Sequence, residues 1–163
     1  MKALFTVSLF ILISCNSDNN KIFEKLKQEF SDSIAKNNAK KFDYQYDGLV
    51  PQNSFFVGNK LKYLEYKQGP EFGSIESLVF FDLQTDSITK IIRREVYREW
   101  DDYNNKETRN FTDSVFVILS NPKQVLTFVG NKQVDSSLNI EELVNREFIK
   151  EIKEVTEKRY NGN

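Results

Sequence analysis

Ile88-Thr-Lys-Ile-Ile-Arg-Arg-Glu-Val-Tyr-Arg-Glu-Trp-Asp-Asp102 has two readings, and the choice between them decides the fold. As a helix, Ile88, Ile91, Ile92, Val96 and Trp100 make an apolar stripe. The same helix would stack Lys90, Arg94 and Arg98 four apart and set Glu95 beside Glu99, and like charges at that spacing repel. As a strand, the segment follows Leu83-Gln-Thr-Asp-Ser-Ile88, which suits a hairpin loop, and Ser77-Leu-Val-Phe-Phe-Asp82, an apolar run suited to a central strand. The strand reading is preferred. On it, Arg94, Arg98 and Trp100 share one face, while Tyr97, Glu99 and Asp101 take the other. Neither face is apolar, so this half projects past the core or lies at an edge. A charged edge also keeps a sheet from pairing with other chains.

Working outward, Ile22, Phe23, Leu26, Phe30 and Ile34 recur at helical spacing from Lys21 to about Lys40, with Asn19 or Asn20 available as the cap. Phe42, Tyr44 and Tyr46 alternate with polar neighbours and predict a strand. Further strands are expected at Phe55 to Val57 and Leu61 to Tyr66, around the turn signal Gly58-Asn59. Asp113 to Leu119 and Gln124 to Val129 predict a hairpin across Asn121-Pro122-Lys123, with a short strand following from Lys132 to Val134. Asn139 with Glu142 resembles a capping box, and Ile140, Leu143, Val144, Phe148, Ile152 and Val155 trace a C-terminal helical face. The expected class is α+β: an N-terminal helix, an antiparallel β-meander of about six to eight strands and a C-terminal helix. In outline this is cystatin-like or nuclear-transport-factor-like, an analogy that carries no function.

The chain opens with a positive Met1-Lys2 and an almost unbroken apolar run from Ala3 to Ile13, too short to span a bilayer and of the length of a signal-peptide core. Leu12-Ile13-Ser14-Cys15 resembles the lipobox of bacterial lipoproteins. The resemblance implies cleavage between Ser14 and Cys15, a diacylglycerol on the Cys15 thiol and acylation of the new amino group. It also implies three segments: a signal peptide over 1–14, a lipidated cysteine and tether over 15–20, and one globular domain over 21–163. The setting is then a bacterial envelope membrane, the outer one favoured over the inner. Two or three acyl chains suffice for stable anchoring where one is marginal. Loss of 14 of the 163 residues leaves 149, and removal of Lys2 leaves 22 basic against 24 acidic residues, a charge of −2.

That near-neutral balance offers no basic stripe for nucleic acid. The one cysteine, consumed by lipid, can staple nothing, so the 14 Phe, 7 Tyr and 1 Trp must supply the core. Histidine is absent, which removes the usual general base near neutral pH, a Ser-His-Asp arrangement and the commonest zinc ligand. Gly69-Pro-Glu-Phe-Gly73 lacks the lysine of a phosphate loop, and Asp101-Asp102 with Asn104-Asn105 lacks the spacing of an EF-hand. No cofactor and no metal are expected.

A non-enzymatic binding lipoprotein is the reading that remains. It would contact a protein or envelope ligand, an inhibitor or immunity-type role included, through a surface containing Arg94, Tyr97, Arg98, Trp100 and Tyr103, the residue types that binding hot spots use. The alternatives are a structural accessory subunit of an outer-membrane complex and, third, a carboxylate-dependent hydrolase using two of Asp82, Glu95, Glu99, Asp101 and Asp102. Asp32-Ser33-Ile34, Asp86-Ser87-Ile88 and Asp113-Ser114-Val115 also resemble a short O-glycosylation sequon of some Gram-negative envelopes. Ser87, in an expected turn, and Ser114 are its candidates, and Ser33, within a helix, suits it least. Asn110-Phe-Thr112 matches the asparagine sequon and carries no weight in a bacterial lipoprotein.

Overall fold

A computed structural model describes residues 20–48, 51–101, 106–135 and 143–162, with side chains for all of these except 98–101 and 106–111. Cys15, Tyr103, Asp102, Asn139 and Glu142 therefore lie outside the described residues. Helix α1 (Lys21–Lys36) leads into eight strands: β1 (Lys40–Phe42), β2 (Gln52–Val57), β3 (Lys60–Gln68), β4 (Gly73–Phe81), β5 (Ile88–Asp101), β6 (Lys106–Ser120), β7 (Lys123–Val129) and β8 (Lys132–Val134). Helix α2 (Arg146–Asn161) follows. The strands form one sheet in chain order, each antiparallel to the next. The segment with two readings is strand β5.

Alternation along the central strands builds two cores. Tyr63, Leu78, Ile92 and Val115 turn to one face and pack with Phe23 and Phe30 of α1. Their chain neighbours Leu64, Val79, Ile91 and Phe116 turn to the other and pack with Ile149 and Ile152 of α2. Residues i and i+1 of a strand point oppositely, so the helices cover opposite faces of the sheet. The Phe30 ring meets Phe55, Tyr63 and Phe80 edge-on, with centroids 6.2, 5.9 and 5.1 Å away. Tyr160 stacks on Phe56 at 3.9 Å and seals the end of α2. Each fully buried large apolar side chain contributes about 1.5–3 kcal/mol.

Three expectations change in detail. Tyr44 and Tyr46 fall beyond β1, which stops at Phe42; the Tyr46 N–H instead donates to Oε1 of Gln52, the first residue of β2, at 3.1 Å. While the expected cap Asn139 lies outside the described residues, the helix Arg146–Asn161 is capped by Asn145, whose side chain accepts from the Phe148 N–H at 3.0 Å. Leu143 and Val144 are buried just ahead of it. Strand β6 starts seven residues before the expected Asp113, at Lys106.

Candidate binding surface

The end of the sheet where the chain enters is held by one polar cluster. Asn20, only 2% exposed, caps α1 by accepting from Ile22 N–H at 3.2 Å and Phe23 N–H at 3.1 Å. Its amide donates to Asp113 Oδ1 on β6 at 3.4 Å. Arg94 on β5 grips the same carboxylate with both arms, Nε to Oδ1 at 3.0 Å and Nη2 to Oδ2 at 2.7 Å. The hydrogen bond to Asp113 outweighs burial and raises the Arg94 pKa. The guanidinium also lies 5.3 Å from the centre of the Phe23 ring, a cation–π geometry. The backbone N–H of Gly130 donates to the Asp113 carbonyl at 3.0 Å, and the Ile22 N–H also approaches Asn131 Oδ1 at 3.3 Å. Arg94, expected on a binding surface, is thus engaged in joining α1 to the sheet.

Beside this cluster the surface turns apolar. Tyr97 faces Gly73 across β5 and β4, and a Cβ on Gly73 would lie 2.8 Å from Tyr97 Cδ1, so the ring rests on the glycine. Tyr97 is 36% exposed, Phe72 44% and Val129 48%. All three sit at the Asn20 end, because Val96 pairs with Asp113 and Ser114 pairs with Val129.

From there the sheet narrows to two strands. Pairing of β4 with β5 ends at Gly73–Tyr97, and pairing of β7 with β6 ends at Val129–Ser114. Among the described residues, Arg98–Asp101 and Lys106–Phe111 pair only with each other. The result is a ribbon that projects past the core, carrying Arg98 and Trp100. Between Arg98 and Trp100 the register shifts, two β5 positions spanning four on β6.

The opposite end holds a different cluster. The Lys62 ammonium, on a side chain 3% exposed, donates to the Asp82 carbonyl at 2.8 Å and pairs with Asp86. Asp86 is also approached by Lys60 at 3.2 Å and Lys153 at 3.8 Å, and Lys153 pairs with Glu157. Burial pushes the Asp86 carboxyl up, but the Lys62 and Lys60 ammoniums overcome it and hold the group below the usual carboxylate range. A cavity of about 430 Å³ lies against this cluster, with Phe81 and Ile88 among its lining residues. Its charges already satisfy one another, which suits a structural network.

Of the carboxylates considered for hydrolysis, the two whose side chains are described, Asp82 and Glu95, lie toward opposite ends of the β4–β5 pair. Asp82 accepts from Gln84 N–H, Thr85 N–H and Thr85 Oγ1 within its own turn, which lowers its pKa. Glu95 pairs with Arg93 at 2.5 Å, and the side chains of Glu99, Asp101 and Asp102 are not described. Sequence reasoning missed the carboxylates that do approach each other, Glu65 and Glu76, which share the Lys27 ammonium. Burial raises the Glu65 carboxyl, while Asn53 and Lys27 bring it below its ordinary value. Ser87 is exposed in the β4–β5 turn, Ser114 is flanked by paired strands, and Ser33 donates to the Glu29 carbonyl at 2.8 Å within α1.

Among the described residues no cluster of three metal-ligating side chains is present, and no helix is long and apolar enough to cross a membrane. No protein-family model, curated protein or solved structure matches the chain significantly, so the cystatin-like or nuclear-transport-factor-like outline rests on element order alone.

Proposed function

We propose that this chain is a lipid-anchored binding protein of the bacterial envelope, held by acyl chains on Cys15 and acting without catalysis. The outer membrane is the favoured site. The observation that carries the reading is the β5–β6 ribbon, a two-stranded arm that among the described residues pairs with no other strand, at the end where Asn20 enters. Its core-free position explains a composition rich in arginine and aromatic residues, which a partner's surface can use. The scattered, internally paired carboxylates of the described residues favour this reading over hydrolysis.

The test is cross-linking and affinity purification of the intact lipoprotein from its native membrane, beside a variant in which residues 98–111 are replaced by Asn-Gly. A stoichiometric partner recovered with the intact chain and lost with the variant is the expected result. Equal recovery from both sinks the ribbon as the recognition element.

A further inference from the structure

Resting on the lipid anchor proposed above, we infer that the β5–β6 ribbon and the sheet end at its base lie against the lipid interface of the membrane that holds Cys15. The tether sets the geometry. Five Cα steps separate Cys15 from Asn20, and at about 3.4 Å each they span about 17 Å at full stretch. Asn20 is fixed to Asp113, which stands opposite Val96. Asp101, in the last described ribbon pair, lies five residues beyond Val96, or about 17 Å at strand rise. A fully drawn tether therefore brings Cys15 only level with the end of the ribbon, and a relaxed one stops short of it.

The reverse orientation is out of reach. From Asp113 to Ser120 the sheet runs seven residues the other way, about 24 Å, so Cys15 cannot sit beyond that end. Lying flat on a helix is disfavoured as well. The outer face of α1 exposes Lys21, Glu24, Lys25, Glu29 and Asp32, and that of α2 exposes charges of both signs, among them Lys150, Glu151, Glu154 and Lys158, around one apolar residue, Val155. Phe72, Tyr97 and Val129 are instead exposed at the Asn20 end, and aromatic residues favour the boundary between headgroups and acyl chains. The described ribbon strands carry Arg98, Lys106 and Arg109 against Glu99, Asp101 and Glu107. This balance makes docking independent of anionic lipid.

Trp100, the one tryptophan of the chain, stands on the ribbon and reports directly. The intact lipoprotein is reconstituted into vesicles of phosphatidylethanolamine and phosphatidylglycerol, with and without brominated acyl chains. Flotation and the acyl mass on the Cys15 peptide are measured on the same samples. The expected result is a loss of Trp100 fluorescence in the brominated lipid, unchanged when phosphatidylcholine replaces the phosphatidylglycerol. Serine at the exposed positions Phe72, Tyr97 and Val129 together should remove most of the quenching while flotation persists. An acylated, floating protein whose Trp100 is not quenched overturns the docking and leaves the anchor standing. A protein with neither acyl mass nor flotation overturns both.

Discussion

Gly73 is restricted to glycine by the strand beside it: a Cβ there would lie 2.4 Å from the Val96 carbonyl oxygen and 2.8 Å from the Tyr97 ring. A backbone atom cannot move aside, so Gly73→Ala should cost about 2 kcal/mol, read from urea unfolding. Asp113 is a second sensitive point. Asp113→Ala takes the bidentate acceptor from Arg94 and should cost about 2–4 kcal/mol, whereas adding Arg94→Met should recover part of that loss in a double-mutant cycle. None of this was legible in Arg94 alone. Its partner is 19 residues away, and only the register of β5 against β6 brings them together. For pH, Glu65 and Asp86 both have folded values below their unfolded ones. Their contribution is present above the ordinary carboxylate value of about 4 and is lost as pH falls through the folded values. Histidine is absent, so the urea midpoint should stay flat from about pH 6 to 9, fall below about pH 4, and fall less steeply in Glu65→Gln.

At the scale of elements, β5 illustrates what a pattern in sequence can decide. Its inner half, Ile88 to Ile92, alternates against two cores, while its outer half has no core to face and so carries no period. The matching part of β6, Lys106 to Thr112, was unreadable for the same reason: Lys-Glu-Thr-Arg-Asn-Phe-Thr pairs with β5 and, among the described residues, with no other strand. Helix α1 was legible because its apolar residues and its cap agree. The start of α2 was not, because Asn145 stands inside the apolar run from Ile140 to Phe148, and its use as a cap depends on Leu143 and Val144 being buried just ahead of it. Since the ribbon pairs laterally with no other strand among the described residues, replacing residues 98–111 by Asn-Gly should shift the thermal midpoint by less than about 4 °C. A larger drop would mean that the ribbon packs on the body of the domain.

For the whole molecule, the sequence carried the α+β class and the order helix, meander, helix. It did not carry the placement of the helices on opposite faces, because which side a strand residue faces depends on registers that bulges at Phe55/Phe56 and Phe80/Phe81 reset. The anchor belongs to this scale too. Cys15→Ala should accumulate an uncleaved precursor without lipid label, measured by mass and by metabolic labelling with palmitate; normal maturation and membrane fractionation of that variant would refute the lipoprotein reading.

The capping role of Asn20 also determines where a mechanical pull is felt. Under the proposed anchor, force arriving at Asn20 enters α1 through the backbone and, through the Asn20 side chain, also reaches Asp113 and Arg94. These sit on β6 and β5, the longest strands, with 15 and 14 residues, in the interior of the eight-stranded ladder. Tension is thus shared among many backbone hydrogen bonds at once instead of peeling strands from an edge. A domain anchored at Cys15, as proposed, is suspended from its middle.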